Sequence, residues 1–131
     1  MQNMTEYFGE PISTYTRAQA IEDGVLVDVS VTAREAGFKF PVAVTRTVWD
    51  GYVVPDSRAR YYQDQMGRLW DILNVLRWYA RRSRERGGAE IHFPVTMIMK
   101  ARQRRNIVFK ALCGPGDDAK PVTTIMMPDE D

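Results

Sequence analysis

The longest regular alternation of apolar and polar positions runs from Tyr61 to Arg86. That stretch has no proline and one interior glycine, Gly67, and it stops at Gly87-Gly88. At about 100° per residue, Met66, Leu69, Trp70, Leu73, Leu76 and Ala80 fall on one face, which predicts a long helix with an apolar core stripe. Downstream the period changes from helix to strand. Ile91, Phe93, Val95, Met97 and Met99 alternate with His92, Pro94, Thr96, Ile98 and Lys100, and Pro94 places this strand at a sheet edge or bulge. Lys100–Asn106 reads as a polar turn, Ile107–Cys113 as the returning strand, Gly114–Asp118 as a second loop and Val122–Met127 as the last strand.

The N-terminal half is made of shorter pieces. Tyr7–Tyr15 reads as extended, with Pro11 at an edge or in an irregular lead-in. Thr16 with Gln19 forms a capping box for a helix over Arg17–Asp23, which Gly24 terminates. Val25–Val29 is a short β-branched strand. Ser30 caps a helical turn over Val31–Ala36 that ends at Gly37, and Phe38, Phe40 and Pro41 form an apolar loop. Val44 or Thr45 opens another short helix carrying Val48 and Trp49. The expected class is α+β: a C-terminal antiparallel sheet packed on one long helix, with short N-terminal helices and strands.

With 131 residues, of which 44% are hydrophobic and 27% charged, the chain has room for one globular domain, closed by a short acidic tail over 128–131. The apolar runs fall short of the roughly 20 residues of a membrane helix, and the N-terminus shows neither a basic start nor an apolar stretch. The expectation is a cytoplasmic protein without a membrane partner. The net charge of +1 conceals an asymmetry. Residues 1–57 carry a net of −4, whereas Arg77–Lys110 carry ten bases against Glu85 and Glu90, a net of +8. Either this basic stretch is solvated surface partly neutralised by the acidic half, or it binds an anionic partner, nucleic acid or an acidic protein face. The predominance of arginine there suits bidentate contacts to phosphate and carboxylate.

Candidate chemistry is sparse. Cys113, the one cysteine, and His92, the one histidine, would make the only nucleophile–base pair if their strands set them side by side, and no orienting acid is marked. A lone histidine on the polar side of a strand has a structural or surface role, and a free cysteine at a strand end reads as a small buried hydrophobe. Asp117 and Asp118 lack the further ligands a cation needs, and no helix N-terminus follows the Gly114–Asp118 loop to cradle a phosphate. No cofactor or metal is expected, and an enzyme is disfavoured. The long helix carries the more specific signal. On its wheel Val75, Trp78 and Tyr79 fall away from the predicted stripe, among Asp64, Arg68, Asp71 and Arg82. Either an N-terminal layer covers them, or they form an exposed aromatic patch. Trp78, Tyr79, Arg81 and Arg82, with Arg102, Arg104 and Arg105 at the hairpin tip, are then the candidate partner-binding residues, because Trp, Tyr and Arg dominate interface hot spots.

Several blocks have a familiar order: STYTRAQAIEDGVLVDVS over Ser13–Ser30; Ala33-Arg34-Glu35-Ala36-Gly37-Phe38; Gln63-Asp64 with Gly67-Arg68-Leu69-Trp70-Asp71; Lys110-Ala111 with Cys113-Gly114-Pro115-Gly116-Asp117; and Pro121-Val122, Thr124-Ile125-Met126 and Pro128. In these the chain resembles an uncharacterised family of small accessory proteins carried by bacterial plasmids, integrative elements and phages. The segment between Trp70 and Ile91 fits that pattern least. The resemblance implies no catalytic residues. It implies an accessory protein that acts by stoichiometric binding to a host protein or nucleoprotein complex, including inhibition of a CRISPR-type defence complex. The alternatives are a direct nucleic-acid binder using the Arg77–Arg105 region and a small enzyme using Cys113 and His92. A homodimer is compatible with all three.

Overall fold

A computed structural model describes residues 15–54, 64–83, 89–99 and 103–131. Four α-helical segments, one π-helical turn and five strands follow one another along the described chain. They are α1 (Arg17–Glu22), β1 (Leu26–Asp28), α2 (Ser30–Glu35), β2 (Val42–Thr45), α3 (Arg46–Val48), the π-turn Trp49–Val53, α4 (Gln65–Ser83), β3 (Glu90–Ile98), β4 (Arg104–Pro115) and β5 (Pro121–Met126). The five strands form one sheet in the order β1-β2-β5-β4-β3, antiparallel throughout except for the parallel β2–β5 pair. The fold is α+β, with the long helix against a C-terminal meander as the periodicities indicate. The expected lead-in over Tyr7–Tyr15 lies outside the described residues except for Tyr15, as do the ends of the expected helix at 61–63 and 84–86.

Local chemistry explains most of the short elements. Thr16 and Gln19 make the full reciprocal capping box of α1, and Gly24 ends it with φ of +80°. At α2 the cap differs from expectation. The helix starts at Ser30 itself, and it is Asp28 Oδ1 that accepts from the Ser30 amide, at 3.0 Å. The Ser30 hydroxyl instead accepts from the Val42 amide at 3.0 Å, joining α2 to β2. Thr45 caps α3 through the Val48 amide.

Strand β2 was not legible. Val42, Ala43 and Val44 are all fully buried, so both faces of the strand are covered and the sequence carries no alternation there. The sheet separates two layers. Inward-facing Val42, Val44, Ile91, Phe93, Val95, Met97, Phe109, Ala111 and Ile125 form one core with Val29, Ala33 and Ala36 around α2, Val48 and Val53 around the π-turn, and Leu69, Ile72, Leu73 and Leu76 of α4. On the outer face lie α1 and the C-terminal residues. Arg17 donates to Thr124 Oγ1 at 2.6 Å and to the Thr123 carbonyl at 2.8 Å. Buried Lys110 donates to the carbonyls of Pro128 and Glu130, while Glu130 accepts from Thr45 Oγ1 and the Met127 amide.

The buried stripe of α4 is rotated from the expected one by about 60° at 100° per residue. Arg68, Leu69, Ile72, Leu73 and Leu76 are buried, and Val75 and Tyr79 pack against the core beside them. Met66, placed on the stripe by the apolar count, is 50% exposed, while Trp70 and Ala80 lie at its margin. The cause is Arg68. Its guanidinium, 2% exposed, donates to the Tyr52 carbonyl of the π-turn at 3.2 Å and to the Ile98 carbonyl at 2.5 Å, so a charged residue occupies a core position. The same contacts set the N-terminal part of α4 beside the end of β3. Helix and strand therefore run in opposite directions.

Candidate partner-binding surface

The register removes the nucleophile–base pair. His92 is paired with Lys110, so Cys113 lies three residues along β4 and on the opposite face of the sheet. His92 Nε2 meets Glu90 Oε2 at 2.7 Å on the outer face, and this hydrogen bond, with the nearby positive charge, holds the Glu90 carboxyl below its ordinary range. Cys113 lies on the inner face at the sheet's end. It is exposed, not buried as a small hydrophobe would be, and its Sγ is 3.6 Å from Thr123 Oγ1. Among the described residues no three His, Cys, Asp or Glu side chains gather to hold a metal ion. The Gly114–Asp118 loop has a structural task. Asp117 accepts from the amides of Arg17 and Ala18 at 2.9 and 3.0 Å, which with the Arg17 charge holds its carboxyl below the usual range. No local sequence signal announces this contact, because the partners are about a hundred positions apart.

The candidate binding residues do not form one surface. Arg104 and Arg105 pair with Ile98 and Met97 at the hairpin tip, beside Arg68 at the N-terminal end of α4. Trp78 lies ten residues further along the helix, about 15 Å at 1.5 Å per residue, towards the other end of the sheet. The expected union of the helix end with the hairpin tip is corrected accordingly: antiparallel packing of α4 on β3 draws them apart. Arg102 lies outside the described residues. Tyr79 is also corrected. It belongs to the same stripe as Ile72 and Leu76, is half-buried, and its ring lies 6.5 Å from that of Phe93.

What remains together is the C-terminal half of α4. Trp78 points away from the core and is 54% exposed, its ring 5.2 Å from Tyr79 edge-on and 4.3 Å beneath the guanidinium of Arg82. Such stacking orients both side chains and leaves the apolar indole face partly covered by a cation. Arg77 and Arg81, one turn apart, lie on the neighbouring side of the helix and line a cleft of about 550 Å³ with Lys39, Phe38 and Phe40 of the α2–β2 loop. Arg77 passes so close to Gly37, whose φ is +106°, that a Cβ there would sit 2.6 Å from the guanidinium nitrogen Nε. Among the described residues no acid pairs with Arg77, Arg81 or Arg82. The sequence pointed to Trp78 and the arginines, and it missed the loop aromatics because a Phe-rich loop reads as core.

Residues 1–131 match a Family of unknown function (DUF6573). The chain belongs to this family. No curated protein and no solved structure matches it. No helix among the described residues is long and apolar enough to cross a membrane.

Proposed function

We propose that this member of the family acts by stoichiometric binding, holding an acidic protein surface against the C-terminal half of α4. The observation that carries the reading is Trp78, turned directly away from the core and stacked beneath Arg82. Burying an indole in a partner supplies desolvated contact area, and the unpaired arginines beside it select an acidic face and fix its orientation. The resemblance seen in the sequence supplies the setting: an accessory protein of a mobile element whose partner is a host protein or nucleoprotein complex, such as a CRISPR-type defence complex. Division of the basic residues between two ends of the molecule weighs against a single nucleic-acid track.

The test is affinity capture from a bacterial host lysate with wild type and with Trp78→Ala/Arg82→Glu, followed by calorimetry on the partner retained by wild type alone. The double variant should melt like wild type and bind at least tenfold more weakly, about 1.4 kcal/mol. Arg104→Glu/Arg105→Glu at the opposite end should bind normally. Equal binding by the Trp78/Arg82 variant refutes the reading, and an affinity falling steeply and linearly with log salt transfers it to nucleic acid.

A further inference from the structure

The cleft beside Arg77 and Arg81 has features that the partner-binding reading does not use. Its walls are apolar, from Phe38 and Phe40 on the loop to Leu76 and Ala80 on the helix, while Cys113 and Thr123 close its sheet side. Phe40 is 53% exposed and stands in the cleft wall, two positions before fully buried Val42. Three cations, Lys39, Arg77 and Arg81, line the same space, and none of its described lining residues is acidic. Its volume of about 550 Å³ lies in the range of small-molecule sites, roughly 300–1,000 Å³. Two guanidinium groups on side chains one helical turn apart can converge on one anionic head group, and a partly desolvated setting strengthens that contact.

We infer that this cleft binds a small amphiphilic anion, an aromatic or aliphatic body bearing one carboxylate, sulfonate or phosphate group. The body lies against Phe38, Phe40 and Leu76, and the head group is held by Arg77 and Arg81. Cys113, the one cysteine of the chain, stands in the cleft wall and reports on its occupancy.

The test uses two fluorescent probes of nearly equal shape, anilinonaphthalene sulfonate and the neutral N-phenylnaphthylamine. Wild type should bind the sulfonate at one saturable site at least tenfold more tightly than the neutral probe. Saturation should slow alkylation of Cys113 by iodoacetamide severalfold. Arg77→Gln/Arg81→Gln should remove the preference for the sulfonate. Should that pair fail to fold, Arg81→Gln alone, at an exposed position, should reduce the preference at least threefold. Trp78→Ala should leave probe binding unchanged, so this inference and the partner-binding reading fail separately. Equal affinity for the two probes, a preference undiminished by loss of the arginines, or alkylation of Cys113 at the same rate under saturating probe overturns it.

Discussion

Replacing Arg68 by methionine tests the packing of α4 more sharply than any apolar truncation. Methionine keeps an unbranched side chain in the space, so the change mainly removes donors. The carbonyls of Tyr52 and Ile98 remain where they are and lose the guanidinium hydrogen bonds at 3.2 and 2.5 Å. Hydrogen bonds to charged groups contribute about 1.5–3 kcal/mol each, and a buried acceptor left without its donor costs about 1–3 kcal/mol. Against this stands the desolvation of a cation 2% exposed, which methionine avoids. Buried ionic groups can be exchanged for apolar ones at little cost when all members of the network go together, but the carbonyls of Tyr52 and Ile98 are backbone and stay. A net loss of about 2–4 kcal/mol follows. In urea, with a slope of about 2 kcal/mol per molar for a small protein, the midpoint should fall by roughly 1–2 M. Met66→Ala, two residues away but 50% exposed, should stay within about 0.5 kcal/mol of wild type. If Arg68→Met is as stable as wild type, or Met66→Ala costs more than about 2 kcal/mol, the rotation assigned to the helix is wrong.

Gly37→Ala should destabilise by about 1–2 kcal/mol in a denaturant melt, since φ of +106° suits only glycine and the new Cβ would meet Arg77; a neutral result would mean that the α2–β2 loop is placed differently. Asp117→Ala should lower the melting temperature at pH 7 by releasing the start of α1. Because the folded carboxyl titrates below its unfolded value near 4, its contribution is complete above that pH and is lost as pH falls through the folded value. The gap between wild type and variant should therefore narrow as pH falls below about 4, and a gap that widens there would contradict the assigned contact.

Elements governed by local chemistry were readable in the sequence: the Thr16–Gln19 box, the glycine stops at Gly24 and Gly37, the strict alternation of β3 and the existence of a long helix across Gln65–Ser83. What resisted reading depends on contacts distant in the chain. Val42–Val44 is covered on both faces and leaves no period. Arg68 looks polar on a wheel, yet it reaches the π-turn and the end of β3, so the apolar count chose the wrong centre for the stripe and left open whether Tyr79 is covered. Trp78 and Arg82 were found because both fall off the apolar stripe of the helical wheel, which is a local pattern. The separation of Trp78 from Arg104 and Arg105 follows from the direction in which α4 crosses β3, which no local pattern encodes.

The central place in the sheet is held by the last of the five described strands in chain order. β5 ends five residues before the C-terminus and lies between β2, some eighty positions earlier, and β4. During synthesis, β1 and β2 have only each other until β5 has emerged, and the β3–β4 hairpin lacks its inner neighbour. Closure of the sheet thus waits for β5 and is governed by a long loop, a topology that slows folding relative to local contacts. Any stop codon before Pro121 would leave two half-sheets with their inner edges unpaired, and such edges are where chains aggregate.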